Sequence, residues 1–107
     1  MEHRDKKRDQ LISFLDKHAF DPILDKNEGE FADRYRPLFR DVKRSTENEK
    51  KRFHEDYNTA QDVKQNYLSD LNSTTARKKN KELEELGLPQ LPHFKDEFLQ
   101  LCKKLGV

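Results

Sequence analysis

Apolar residues in this chain recur three and four positions apart, and no stretch alternates apolar with polar residues. That spacing lines up side chains along one face of a helix and gives a strand no face to bury. The expected fold is therefore all-α: an irregular bundle of four to five short helices with no β-sheet. Residues 1–107 read as a single helical domain, long enough for one modest core. That core has to be thin, because only 32% of the residues are hydrophobic while 40% are charged. Two features oppose disorder. The net charge is +1, and seven Phe with three Tyr supply large burial per residue.

The periodicity predicts a first helix over 4–19, with Leu11, Ile12, Leu15, His18 and Ala19 on one face. Residues 1–8 are almost wholly charged and are expected to fray or project. Asp21 and Pro22 suit a short helical turn as cap and first residue. A loop follows over 25–30. Leu38, Phe39, Val42, Thr46, Phe53 and Tyr57 hold one face of a long second helix that Pro37 either begins or kinks, and Glu49 and Lys50 interrupt that stripe. Thr59 with Asp62 resembles a capping box ahead of a third helix over 60–71. Asn72-Ser73-Thr74 reads as a turn ending in a cap, followed by a fourth helix over 75–86 that Gly87 terminates. Leu88-Pro89-Gln90-Leu91-Pro92 reads as an extended connector. A fifth helix, from 92 or 93 to 105, carries Phe94, Phe98, Leu101, Cys102 and Leu105 inward, and Gly106 ends it.

No apolar run is long enough for a membrane span, and the charged N-terminus lacks the apolar stretch of a secretory signal. Cys102 is the single cysteine, so no disulfide framework is expected. These features point to a cytoplasmic protein without membrane contact. Phe53-His54-Glu55-Asp56-Tyr57 and Glu84-Glu85-Leu86-Gly87-Leu88-Pro89 resemble stretches of small bacterial proteins, a resemblance that implies no activity.

Catalytic and metal chemistry find little purchase. None of His3, His18, His54 and His93 has a second histidine three to five residues away, as a helical zinc motif requires. His93, Asp96 and Glu97 share a helix face but read as an acidic helix start. His54-Glu55-Asp56 reads as a solvated face, and His18 as a half-buried member of an apolar one. Cys102, on an inward face, behaves as a small hydrophobe. Gly29, Gly87 and Gly106 are isolated, so no phosphate-cradling loop forms. The expectation is a protein that is not an enzyme and carries no cofactor or metal.

One segment breaks a local rule. From Arg77 to Glu85 the cations come first and the carboxylates last, opposite to the helix dipole. Each misplaced charge costs about 0.3–1 kcal/mol at low salt. Arg77, Lys78, Asn80, Lys81, Glu82 and Glu85 are therefore candidate interaction residues. One use is nucleic-acid binding through a degenerate helix-turn-helix-like pair over about 60–86, in which Arg77 and Asn80 would read bases. Against it stand Lys79 and Asn80 where a core residue is wanted, the repulsion of Glu82, Glu84 and Glu85 for phosphate, and the balanced net charge. The bland alternative is a solvated helix with Lys78 pairing forward to Glu82 and Lys81 to Glu85.

The favoured expectation is a small domain acting through protein–protein contacts as an adaptor, regulatory or structural subunit. Its partner would be another protein or a second copy of the chain, since domains short of core often bury surface by association. Phe31, Tyr35, Leu88 and Leu91 are the candidate apolar contacts.

Overall fold

The computed structural model describes residues 6–107 and is all-α, with no strand among those residues. The first helix, α1 (Lys6–Leu15), does not stop at Ala19. It runs through a π turn, Asp16–Phe20, into α2 (Asp21–Leu24) as one rod. Pro22 accounts for the π turn. It has no N–H to donate, and in a regular helix its ring would press on the carbonyl four residues back. The ladder widens just upstream, so that the Asp21 N–H donates to the Asp16 carbonyl, five residues back. Asp21 is thus helical rather than a cap. Leu11, Ile12, Leu15, Ala19, Phe20 and Ile23 all face inward along this rod.

A tight 3₁₀ turn, Glu28–Glu30, is closed by a reciprocal capping box in which the Asn27 N–H donates to the Glu30 carboxylate at 2.8 Å. A second 3₁₀ turn, Asp33–Tyr35, leads into α3 (Arg36–Asp56). Pro37 begins this helix rather than kinking it. The 21 residues make a spine about 31 Å long. Thr59 then caps α4 (Ala60–Leu71), its hydroxyl accepting the Asp62 N–H at 3.1 Å. Ser73, not Thr74, caps α5 (Thr74–Glu85), accepting the Ala76 N–H at 3.0 Å. A 3₁₀ turn, Leu91–Phe94, precedes α6 (Lys95–Leu105), so the last α-helix starts later than the periodicity indicated.

Gly87 turns the chain back at the end of α5. At φ 72° it takes the left-handed conformation that side chains disfavour. The Leu88 N–H returns to the Leu83 carbonyl at 2.9 Å and the Gly87 N–H to the Glu84 carbonyl at 3.1 Å. This pairing folds the residue after the glycine back onto the helix. Leu88 is consequently buried, at 9% exposure. Leu91 is also buried, at 7%, its N–H held at 2.7 Å by the Asn80 side-chain oxygen. Neither is an exposed contact residue.

The apolar side chains gather into two clusters. The first holds Leu11, Leu15, Phe20, Phe53, Val63, Tyr67, Phe98 and Cys102, drawn from α1, the π turn, α3, α4 and α6. The second holds Ile23, Phe39, Val42, Ala76, Leu83, Leu86, Leu88 and Leu91. Helix α3 serves both, and the polar middle of its stripe lies between them.

The first turns of α1 do not all project. Residues 1–5 lie outside the described residues, but Arg8 is buried at 2% exposure. Its Nε donates to the Tyr57 carbonyl at 2.7 Å, and one terminal nitrogen donates to the Phe53 and His54 carbonyls at 3.1 and 2.6 Å. The last carbonyls of a helix lack partners within it, and here a guanidinium supplies them.

Candidate interaction groove

Helix α5 packs against α3 where Glu49 meets Lys79, and further along α3 Arg52 meets Asp70 near the end of α4. The Lys79 Nζ lies 3.1 Å from the Glu49 carboxylate, with side-chain exposures of 8% and 15%. Two oddities of the sequence thus answer each other. The interruption of the α3 stripe at Glu49 and the missing apolar residue of α5 at Lys79 are the two halves of one buried ion pair. Lys50, the other interruption, turns to the opposite side of α3 and pairs with Asp21 at 2.8 Å.

Beside the Glu49–Lys79 pair lies an open groove of about 620 Å³ between α3 and the start of α5. Asp41, Arg44, Ser45, Asn48 and Arg52 line it from α3, and Ser73, Thr75, Ala76 and Lys79 from the other side. It continues past Asp41, Ser45 and Thr75 toward Leu38, Lys78 and Glu82. Charges of both signs line its length. Asp41, Arg44, Lys78 and Glu82 make none of the ion pairs found among the described residues. The Asp70 carboxyl is pushed above its ordinary range by burial. The Arg52 guanidinium pulls it down and Glu49 adds to the upward push.

The six charged and polar candidates from the sequence divide. Arg77, Lys78, Lys81 and Glu85 are exposed, Glu82 is half-buried at the groove, and Asn80 is half-buried and spent on the Leu91 N–H. Lys78 does not reach Glu82, nor Lys81 Glu85, so the forward ion pairs expected on this helix are not formed. Phe31 and Tyr35 are half-buried against the second cluster, with the Phe31 ring 4.6 Å from that of Phe39. Asp41, Arg44, Glu49, Arg52 and Asp70 carried no mark in the sequence. Only the broken α3 stripe pointed toward them.

Compared with known proteins, the chain matches no family model, no curated protein and no solved structure. The functional reading therefore rests on the chemistry of its own side chains.

The histidine and cysteine candidates resolve locally. Glu55 and Asp56 are exposed, as a solvated face requires, while the partly exposed His54 sets its Nε2 2.9 Å from both carboxylate oxygens of Asp16. The reason is the π turn, which brings Asp16 against α3. His18 packs on Phe14, ring centroids 4.5 Å apart. His93, Asp96 and Glu97 are not placed as a ligand set, since among the described residues no group of three such side chains is positioned to hold a metal ion. Among those residues, too, no helix is long and apolar enough to cross a membrane. Burial pushes the Cys102 thiol up, which keeps it protonated and unreactive.

These environments set an alkaline limit. Burial raises the Cys102 thiol above 9.0 and the Tyr57 and Tyr67 phenols above 10.0, while a hydrogen bond to Asp21 raises the Lys50 ammonium above 10.5. In all four the folded protein keeps a proton at a pH where the unfolded chain releases it. Stability must then fall as pH climbs from about 9 upward, most of the loss coming from the buried Tyr67 and Cys102 rather than from the part-exposed Tyr57 and Lys50. Urea midpoints measured from pH 7 to 11 are expected to decline progressively above 9. A flat profile would contradict these buried environments.

Proposed function

We propose that this domain is a non-catalytic interaction module that holds a mixed-charge segment of another protein in the α3–α5 groove. The open, two-signed groove carries the reading. Asp41 and Arg44 offer charges without ion partners, and Ser45, Asn48 and Thr75 offer hydrogen-bonding groups between them. The buried pair at its edge fixes the spacing of the two helices, so the polar groups are held in place before binding. Complementary charge gives such a surface its partner choice and encounter rate more than raw affinity. The protonated thiol of Cys102 and the engagement of His54 and His18 with neighbours support a role outside catalysis.

The test compares proteins retained by the wild type with those retained by Asp41→Lys and Arg44→Glu, quantified by mass spectrometry. Both residues are exposed, so the variants are expected to fold normally. At least one protein should be recovered by the wild type and reduced roughly tenfold by each variant. A retained set indifferent to both changes would sink the groove as the site.

Nucleic-acid binding stays as a second reading because of one observation. Helix α5 starts cleanly at its Ser73 cap and exposes Thr74, Thr75, Arg77, Lys78 and Lys81. The packing objection raised by Lys79 and Asn80 is answered, since Lys79 is buried against Glu49 and the half-buried Asn80 holds the Leu91 N–H. The carboxylates of Glu84 and Glu85 remain exposed on the same helix and repel phosphate. Anisotropy with mixed-sequence DNA and RNA separates the readings. Binding that falls steeply with salt and disappears in Lys78→Glu/Lys81→Glu would favour nucleic acid over protein.

A further inference from the structure

Helix α5 bears a charged stripe that borders the groove, sharing Lys78 and Glu82 with its continuation. Lys78, Lys81, Glu82 and Glu85 stand at i, i+3, i+4 and i+7, which places them on one helix face. The buried residues Ala76, Lys79 and Leu83 occupy a different face, turned toward α3. Lys78, Lys81 and Glu85 are exposed and Glu82 is half-buried. Read along the helix the stripe runs plus, plus, minus, minus. None of its four charges has an ion partner among the described residues. Lys78 and Lys81 sit either side of the helix midpoint, while Glu82 and Glu85 lie in the last turn, where the dipole disfavours carboxylates.

A sequence of charges that reads plus, plus, minus, minus is its own complement when laid antiparallel. We infer that the stripe is a contact between two copies of this chain, with their α5 helices antiparallel about a two-fold axis between Lys81 and Glu82. That symmetry sets Lys78 against Glu85 of the partner subunit and Lys81 against Glu82 of the partner subunit, and the two-fold repeats both pairs. One patch serves both copies, as an isologous interface requires. The opposing copy also brings its cations beside this helix's last-turn carboxylates, offsetting the cost that the monomer leaves standing. Size decides the strength. Two helical turns bury far less than the roughly 800 Å² per partner of a stable interface, and the stripe contains no aromatic anchor. The dimer is therefore weak and dependent on ionic strength.

The experiment is sedimentation equilibrium at low and high salt, with circular dichroism to check that each variant is folded. The wild type is expected to dimerise at high micromolar concentration in about 0.05 M salt. It should dissociate as screening shortens to a few ångströms near 0.5 M. Lys78→Glu/Lys81→Glu makes the stripe wholly acidic and Glu82→Lys/Glu85→Lys makes it wholly basic. Each alone should weaken self-association at least roughly tenfold. Mixed in equal amounts, the two variants should form a heterodimer tighter than the wild-type dimer, and the fourfold exchange should restore the homodimer. A wild type that stays monomeric at about 1 mM in low salt overturns the inference. So does a dimer that survives both paired changes, or a mixture that does not associate. Lys78 and Glu82 also border the groove, whereas Asp41 and Arg44 stand outside the stripe, so a dimer unchanged in Asp41→Lys and Arg44→Glu separates the two readings.

Discussion

Replacing Lys79 with alanine is expected to destabilise the fold by about 1–3 kcal/mol, because it leaves unpaired a Glu49 carboxylate that is mostly buried but borders the open groove. The carboxylate loses its one ion partner while Asp70, a second acid, stays nearby. Removing both charges is a different experiment. Lys79→Met with Glu49→Leu replaces the pair by apolar groups of similar volume, and such exchanges are often neutral or stabilising. The double variant should recover most of the loss, leaving a coupling energy well above the few tenths of a kcal/mol seen for independent sites. Urea denaturation of the wild type, Lys79→Met, Glu49→Leu and the double variant supplies the cycle. Additive losses would mean that the two side chains act separately. A stable double variant with altered groove binding would show that the pair sets helix spacing rather than stability.

Arg8→Ala is expected to destabilise by about 3 kcal/mol. The substitution leaves the Phe53, His54 and Tyr57 carbonyls without the guanidinium at the end of α3, and hydrogen bonds to charged groups contribute about 1.5–3 kcal/mol each before compensation by water. The site is nearly dry on the arginine side, so water replaces those donors poorly. Arg8→Lys should rescue little. A lysine ammonium is a point charge and cannot spread a planar fork of donors over three carbonyls. Calorimetric melting temperatures of the wild type and both variants decide this. A lysine variant as stable as the wild type would reduce the role of Arg8 to its charge.

These two residues show where the sequence was legible and where it was not. Local signals worked well. Thr59 caps α4, Gly87 and Gly106 end their helices in the left-handed conformation, and the apolar spacing marked every helix. Each depends on a few adjacent residues. What escaped depends on partners far away in the chain. Glu49 and Lys79 are 30 positions apart, and Arg8 meets carbonyls 45 to 49 residues on. Periodicity scores a charged residue on an inward face as a gap, when the fold has filled the gap with an opposite charge. Leu88 escaped for a subtler reason: a glycine-terminated helix reverses the chain and buries the residue after the glycine. For the groove, the sequence offered Lys78 and Glu82 but not the α3 residues opposite them. Those are ordinary surface charges until α5 is laid across them.

The two apolar clusters differ in how much of the chain each requires. The second is assembled wholly from residues 23–91. The first joins Leu11, Ile12 and Leu15 to Phe98 and Cys102, so it closes only when both flanks of the chain are present. Residues 23–91 alone supply every buried member of the second cluster, including the stretches of α3 and α5 that it joins. A change at Phe98 or Cys102 thus strikes the half that joins the two flanks and leaves every buried residue of the groove-bearing half in place.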